Sequence, residues 1–154
     1  MLEVSDDYLI GFIEGEGMFY VGIVPSRETK TGWQVIHFFK VSQNPSGKAI
    51  LDYLKKRLKC GYVKPNLKGN QYKDKSLAFV VRDLSSLHTK ILPFLESKLV
   101  IKRKNFESFK KVIDLVAHKK HLSKQGIRQI LDIAYKMNTA KRRVAKSKIL
   151  QAYI

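Results

Sequence analysis

Residues 9–17 (LIGFIEGEG) contain the pattern that most restricts how this chain can fold. Their apolar residues have helical spacing, but they also include Gly11 and Gly15, four positions apart. Inside a helix each glycine lowers stability by about 0.5–1 kcal/mol relative to alanine. Such a pair removes side chains from one stripe of a helix, so another backbone can approach closely. The pattern predicts a helix that ends near Gly15 and packs tightly against a second helix.

Glu16 falls at the C-terminal end of this predicted helix, where the helix dipole disfavours a carboxylate by about 0.3–1 kcal/mol. An acid in this position needs a cation. Two closely packed helices of this kind would bring two carboxylates together, and Mg²⁺ suits such a site because it binds carboxylates, waters and phosphate oxygens. The bound metal can activate water for attack at phosphorus. The alternative is an ordinary helix end, with Glu16 exposed or paired with a lysine.

The charge of the chain is unevenly distributed. Its 154 residues include 30 Lys plus Arg and 13 Asp plus Glu, a net charge of +17, and five of the acids lie in residues 1–16. Residues 17–154 therefore hold 30 basic and 8 acidic residues, a net of +22. This excess indicates a polyanionic partner, with nucleic acid ahead of an anionic membrane. The alternative is a solvated, highly soluble surface.

Composition also excludes several classes of protein. The single cysteine, Cys60, rules out an internal disulfide framework and a cysteine-rich zinc site. No apolar run reaches the roughly 20 residues that a membrane span requires, and the acidic N-terminus is unlike a secretion or import signal. We therefore expect a soluble protein with no membrane partner. No repeat or linker divides the sequence, so we expect a single domain over residues 1–154.

The order of predicted elements is typical of an α+β fold. Ser5 can cap the first helix, and Asp83 can cap a later segment that Pro93 interrupts. Gly61 can close the second helix, and Ile101 is placed on the buried face of a helix over 98–116. The predicted helices span 6–15, 47–59, 98–116, 125–137 and 140–153, and the predicted strands span 18–24, 33–42, 62–64 and 77–82.

Residues 9–17 resemble the signature of the LAGLIDADG homing endonucleases, with glutamate at both acidic positions where the consensus has aspartate. The similarity extends to the element order, to Gln43 after the second strand, and to residues 61–64 and 93–98, so it covers nearly the whole chain. The resemblance implies an αββαββα fold with a four-stranded antiparallel saddle and additional C-terminal helices. It also implies a metal-dependent enzyme that hydrolyses both strands of a long, pseudo-palindromic DNA site.

The resemblance assigns roles to individual residues. Glu16 matches the metal-binding acid of the family, and the Gly15 carbonyl matches an auxiliary ligand. Gln43 matches a polar residue near the attacking water, and Lys98 matches the basic residue near the scissile phosphate. Glu14 matches an acid that is generally structural. The cofactor implied is Mg²⁺, with Mn²⁺ or Ca²⁺ as substitutes in binding.

Only one copy of the motif is present, which in this family implies a homodimer. The two close helices would then come from two chains, in an isologous contact. The predicted interface residues are Leu9, Gly11, Phe12 and Gly15.

Strand alternation and the resemblance together predict which residues face DNA. On the second strand, Gln34 and Lys40 can reach base edges, and Ile36 and Phe38 can touch thymine methyl groups; the alternative for both apolar residues is packing under a neighbouring element. For the basic residues Lys141, Arg142 and Arg143, the alternative is that they lie on a solvated helix face. The predicted DNA-binding residues are Tyr20, Gly22, Val24, Ser26, Arg27, Lys30, Gln34, Ile36, Phe38, Lys40, Lys48, Lys64, Asn66, Lys68, Lys141, Arg142 and Arg143.

Three other functions are compatible with the sequence. The same fold serves RNA maturases, which would add an RNA partner, and DNA-binding repressors; retention of Glu16 favours the nuclease. An unrelated basic RNA-binding protein would instead expose aromatic platforms on its sheet. His118 and His121 are three apart and could seat a metal, but no other ligand lies near them in the sequence. The resemblance implies an origin in a mitochondrion or chloroplast, although we see no targeting signal in the sequence itself.

Overall fold

The computed structural model describes residues 2–66, 75–137 and 145–151. The predicted Lys68, Lys141, Arg142 and Arg143 lie outside these residues. Within the described ranges, no helix is both long and apolar enough to cross a membrane. In chain order the elements are α1 (Asp6–Glu16), β1 (Gly17–Pro25), β2 (Trp33–Gln43), a 3₁₀ turn (Pro45–Gly47), α2 (Lys48–Leu58), β3 (Tyr62–Pro65), β4 (Leu77–Val81), α3 (Leu84–Ser86), a π turn (Leu87–Ile91), α4 (Leu92–Leu95), α5 (Arg103–Ala117), a 3₁₀ turn (Lys120–Leu122), α6 (Lys124–Met137) and α7 (Lys146–Gln151).

The first helix begins and ends where the sequence predicts. Ser5 Oγ accepts the backbone N–H of Tyr8 at 3.1 Å, which caps the N-terminus of α1. Leu9, Ile10 and Ile13 are buried on one side of the helix. The predicted α1 and its cap are therefore confirmed.

Four strands form one sheet in the order β1-β2-β4-β3. The inner pair β2 and β4 is antiparallel, with Phe39 opposite Val81 and Val41 opposite Phe79. β3 is antiparallel to β4, with Val63 also opposite Phe79. The two predicted hairpins are thus joined through β2 and β4, and the predicted α+β fold with a four-stranded sheet is confirmed.

The chain divides into two compact units, Met1–Phe19 with Phe38–Lys102 and Tyr20–His37 with Arg103–Ile154. In the first unit, the Phe39 ring lies 5.4 Å from Phe19 and 6.4 Å from Phe79, between ring centres. Leu51 and Leu54 of α2 are fully buried in that unit. In the second unit α5 packs against α6; the buried side chains of these two helices include Phe106, Phe109, Ile113, Ile127, Ile130 and Leu131.

The end of α2 differs from the prediction. Lys59, and not Gly61, occupies the left-handed position after the helix, with φ 55°, and its N–H bonds the Lys55 carbonyl at 2.9 Å. Gly61 also has a positive φ of 79°, and a Cβ there would lie 2.7 Å from the Val80 carbonyl oxygen. Gly61 is therefore required by the close approach of β4 and not by the helix cap.

Two later helix predictions are wrong in their boundaries. Pro93 does not interrupt its helical segment: it lies in the first turn of α4, which follows the π turn at Leu87–Ile91 directly and continues to Leu95. The helix predicted from residue 98 begins only at Arg103. Residues 100–102 form a turn instead, so the Ile101 side chain is 81% exposed and does not join the buried face.

Candidate active site and nucleic-acid interface

Glu16 is the last residue of α1, and β1 begins at the very next residue. Gly17 makes this direct junction possible, since a Cβ at Gly17 would lie 2.7 Å from the Ile13 carbonyl oxygen and 2.9 Å from Ile13 Cγ2. The Gly17 N–H bonds that same carbonyl. The third glycine of the motif therefore fixes where the Glu16 carboxylate leaves the helix.

The Glu16 side chain is exposed. Among the described residues it has no hydrogen bond or ion pair. Nor do these residues contain any group of three or more His, Cys, Asp or Glu side chains able to hold a metal. The end of α1 thus offers a single carboxylate, together with the last helix carbonyls, of which Gly15 is one and which lack partners inside a helix. These oxygen donors fit Mg²⁺, whose remaining ligands would be water and phosphate oxygens.

Glu14 holds the turn that precedes α5. Its carboxylate accepts the backbone N–H groups of Val100 at 2.5 Å, Ile101 at 2.8 Å and Lys102 at 3.0 Å. Partial burial raises the pKa of the Glu14 carboxyl, but these three hydrogen bonds and the Lys102 charge outweigh it, so the pKa lies below its usual value. Glu14 is thus held as a carboxylate that fixes the chain at residues 100–102 beside the end of α1.

Lys98 lies near the start of α1, where its charge helps to lower the pKa of Asp6. Its Nζ is 5.5 Å from the centre of the Phe94 ring, and the Arg57 guanidinium carbon is 5.4 Å from the same centre. Arg57 in turn pairs with Asp6, the first residue of α1, at 2.8–2.9 Å. The first and last residues of this helix are about 15 Å apart at 1.5 Å per residue.

Lys102, which sequence reasoning missed, is the lysine beside the end of α1. Its N–H bonds Glu14, and its charge helps to lower the pKa of the Glu14 carboxyl. The role predicted for Lys98 stays a prediction, and Lys102 is a second lysine near the end of α1. Only the long-range bond to Glu14 identifies it, because Lys102 is one of three consecutive basic residues, 102–104.

Gln43 is the final residue of β2 and not a residue just beyond the strand. Its Oε1 accepts the backbone N–H of Asn44 at 3.0 Å. A Cβ on Gly47 would lie 2.8 Å from Gln43 Cγ, so this glycine leaves room for the glutamine side chain. Among the described residues, no hydrogen bond or ion pair joins Glu16, Gln43 and Lys98 to one another.

Lys48 is the first residue of α2, and its Nζ lies 2.6 Å from Asp52 Oδ2. Both side chains are about half exposed, at 60% and 48%, so this is a surface ion pair of small energy.

The second strand has one closed and one open face. Trp33, Phe39 and Val41 are buried, whereas Gln34 is exposed and the alternate residues from Ile36 to Ser42 are partly exposed. The Arg82 guanidinium lies 5.3 Å from the centre of the Phe38 ring. Lys40 Nζ donates to Asn66 Oδ1 at 2.9 Å on this face. Lys64 is exposed on β3.

The hairpin of the second unit has the same alternation. Val21 and Ile23 of β1 are buried, while Tyr20 and Val24 are partly exposed. A Cβ on Gly22 would lie 2.5 Å from Tyr20 Oη, so the Tyr20 side chain covers Gly22. In the turn, Ser26 is partly exposed, and Arg27 and Lys30 are exposed.

The four predicted interface residues of α1 are not equally accessible. Leu9 is 0% exposed and belongs to the core of its own chain, whereas Phe12 is partly exposed. Apart from the chain neighbours and the backbone of α1 itself, no atom of the described residues lies within 4 Å of a Cβ built on Gly11 or Gly15. Val100 and Ile101, in the turn that Glu14 holds, are each 81% exposed. The end of α1 thus has an open glycine face and two exposed apolar side chains in the turn fixed beside it.

The histidine pair also has a defined geometry. His118 Nδ1 lies 2.7 Å from the Asp114 carbonyl oxygen. Burial lowers the pKa of His121. Among the described residues, which include this pair, no group of three or more His, Cys, Asp or Glu side chains could hold a metal.

Comparison with known proteins gives one family match and several related chains. The profile of the family described as LAGLIDADG endonuclease matches residues 9–113. The probable intron-encoded endonuclease 2 of Neurospora crassa is 27% identical over 139 residues, which are 88% of this chain and 29% of that protein. The chain spans 24–29% of the length of the curated relatives it matches.

Solved structures have the same fold. The homing endonuclease I-TnaI is 30% identical with a TM-score of 0.83, and the alignment covers 99% of this chain and 97% of that one. The LAGLIDADG homing endonuclease I-LtrWI, solved bound to its target DNA, is 33% identical with a TM-score of 0.82. Here the alignment covers 90% of this chain and 46% of the other.

Proposed function

Because this chain belongs to the LAGLIDADG endonuclease family, we propose that it is a homodimeric, Mg²⁺-dependent homing endonuclease that cuts both strands of a specific DNA duplex. The observation that carries this proposal is the Glu16 carboxylate, which is exposed at the end of α1 and has no hydrogen bond or ion pair with the described residues. A carboxylate at the negative end of a helix destabilises that helix, whereas a cation bound in the same place is favoured.

A second copy of the chain would complete the site. One chain supplies a single carboxylate, and the open face of Gly11 and Gly15 allows the α1 helices of two copies to approach closely. The exposed Val100 and Ile101 add apolar area beside this face. In an isologous dimer the two Glu16 carboxylates would come close together, each serving one DNA strand.

In the proposed reaction, Glu16 and the Gly15 carbonyl would hold the divalent cation, which would activate water and stabilise charge at the reacting phosphate. Gln43 orients the attacking water from the end of β2. Lys102 takes the role first assigned to Lys98, because it lies beside the end of α1 and its charge can act on the scissile phosphate. Glu14 does not bind the metal in this scheme, since its carboxylate is occupied by three backbone N–H groups.

The open face of the sheet would bind the DNA. Residues such as Gln34 and Lys40 would read bases, while Lys48, Arg27 and Lys30 would contact phosphates, which fix position without reading sequence. A two-fold dimer predicts a palindromic or nearly palindromic target. I-LtrWI was solved bound to target DNA, which supports the duplex as the partner. The intron-encoded relatives support an origin in an organellar intron.

Replacement of Glu16 by glutamine tests the proposal. With Mg²⁺ and a randomised duplex library, the wild-type protein is expected to give cut ends of defined sequence, and Glu16→Gln none. Binding of the selected duplex should stay within about tenfold, or 1.4 kcal/mol. Glu3→Gln removes an exposed acid away from the site and should cleave normally. Full cleavage by Glu16→Gln would remove Glu16 from the mechanism, and selective binding to RNA without DNA cleavage would favour a maturase.

A further inference from the structure

The open face of the sheet carries a polar network that links β2 to the end of β3. Lys40 Nζ donates to Asn66 Oδ1 at 2.9 Å, and Asn66 Nδ2 donates to Ser42 Oγ at 3.3 Å. Asn66 follows the last residue of β3, and its backbone N–H bonds the Ser76 carbonyl at 2.8 Å. β4 lies between the two strands that contribute to the network.

The register of the sheet explains how the network crosses β4. Ser42 lies opposite Ala78, and Ala78 lies opposite Lys64 on the other side. An alanine side chain ends at Cβ, so it leaves space above β4 for the Asn66 amide to reach β2. Ala78 and the neighbouring Val80, which lies opposite Lys40, are 0% and 3% exposed. Buried apolar side chains of β4 thus lie directly beneath the polar network.

The chemistry of the network fixes the direction of the Lys40 ammonium. An ammonium group is only a donor, so the amide of Asn66 must present its oxygen to Lys40 and its NH₂ group to Ser42. Asn66 therefore holds one N–H of Lys40 in a defined direction before any DNA binds. A lysine held in this way loses less side-chain freedom when it makes a specific contact.

We infer that Lys40, positioned by Asn66 and Ser42, reads a guanine in the major groove of the target. This inference rests on the proposed function, because it requires duplex DNA on the open face of the sheet. Guanine presents two acceptors there, O6 and N7, whereas thymine presents one acceptor beside a methyl group, adenine presents one acceptor and one donor, and cytosine presents a donor. A donor held in place therefore matches guanine best. In a two-fold dimer, each half of the target would contain one such guanine.

The competing role for Lys40 is a phosphate contact, which carries no sequence preference. Two observations favour base reading. Lys40 lies on β2, an inner strand of the sheet, and its side chain is only partly exposed. Asn66 is a neutral partner, so its hydrogen bond restricts the direction of the ammonium without adding an opposing charge. The two roles differ in what mutation does, since loss of a base contact relaxes specificity at one position and loss of a phosphate contact weakens all sequences alike.

Selection by binding alone tests the inference separately from cleavage. The full-length protein is incubated with a randomised duplex library in EDTA, and bound duplexes are sequenced. Wild type should enrich a guanine at one position in each half of the site, by about 5- to 150-fold over other bases. Lys40→Gln should shift that position to adenine, because a glutamine amide matches N6 and N7 of adenine. Asn66→Ala should weaken the guanine preference at the same position.

Lys55→Gln is the matched control, because it removes the same charge from an exposed residue of α2. It should leave the base preferences unchanged. If Lys40→Gln instead lowers affinity equally for every enriched duplex and alters no base preference, Lys40 contacts phosphate and the inference is overturned. If wild type enriches no sequence at all, the proposed function fails as well. An unchanged preference in Asn66→Ala would contradict the positioning role of Asn66.

Discussion

The Glu14 carboxylate accepts the backbone N–H of Lys102 at 3.0 Å, across 88 residues of sequence. Glu14 stands two residues before Glu16, so this bond ties the turn that precedes α5 to the end of α1. The same carboxylate also fixes Val100 and Ile101, whose side chains are exposed. One acid thus holds in place both a lysine beside the proposed metal ligand and an apolar surface suited to a second copy of the chain.

Removal of the Glu14 carboxylate should therefore impair the protein in two ways. Glu14→Ala leaves three backbone N–H groups without their acceptor, which should lower the free energy of unfolding by about 1–2 kcal/mol, since the turn is open to water. Release of Lys102 should lower the single-turnover cleavage rate by about tenfold or more. Chemical denaturation and cleavage of a saturating duplex measure the two effects. Glu3→Ala is the control, and a normal cleavage rate in Glu14→Ala would show that the turn does not position Lys102.

Lys102 and Lys98 should respond differently to the same substitution. Lys102→Gln should slow cleavage of bound DNA about tenfold or more with little change in duplex affinity, because the lost charge acts at the reacting phosphate. Lys98→Gln should cleave normally, because its ammonium lies over the Phe94 ring beside the start of α1. Single-turnover rates at saturating protein separate the two variants. The assignment is wrong if Lys98→Gln is the slower enzyme.

Two glycines of the motif should also differ, because the space around them differs. Apart from its chain neighbours and the backbone of α1 itself, Gly11→Ala meets no described atom within 4 Å, so the folded chain should keep or gain stability by about 0.5–1 kcal/mol in the helix. The new methyl group should nevertheless weaken self-association, measured by sedimentation. Gly17→Ala places Cβ 2.7 Å from the Ile13 carbonyl oxygen, so it should destabilise the chain itself. Unchanged self-association of Gly11→Ala would exclude the glycine face from the dimer contact.

Local sequence signals predicted most of the fold. Ser5 as the cap of α1, the two hairpins and the alternation of Phe39 and Val41 against Lys40 follow from hydrogen-bonding chemistry and strand periodicity, which operate over a few residues. Gly17 belongs to the recognised motif, but the reason for a glycine there is the packing of Ile13, which leaves no space for a side chain.

The features that the sequence did not predict depend on distant contacts. The apolar spacing around Ile101 resembles a helix, but the Glu14 carboxylate competes for the N–H groups of residues 100–102 and holds them in a turn. Lys98 and Lys102 are equivalent in local sequence, and only their partners, Phe94 in one case and Glu14 in the other, distinguish them. Such pairings between residues far apart in the chain leave no periodic pattern to detect.

The ion pair between Asp6 and Arg57 should give the chain a specific acid sensitivity. The hydrogen bond from Arg57 lowers the pKa of Asp6, a small burial effect opposes it, and the charges of Arg57 and Lys98 lower it further. A carboxyl whose pKa is lower in the folded state stabilises the fold above its unfolded pKa and loses that contribution as the pH falls through the folded value. Denaturation should show wild type losing stability below about pH 4, relative to Asp6→Asn.

At pH 7 the difference between wild type and Asp6→Asn should be below about 1 kcal/mol, because both partners of the pair are nearly half exposed. Asp7→Asn is the matched control, since it removes the adjacent acid of the same helix turn and leaves the bonds to Arg57 intact. Asp7→Asn should keep the wild-type loss of stability in acid. Parallel curves for wild type and Asp6→Asn from pH 7 to pH 3 would show that Arg57 contributes nothing to the fold through Asp6.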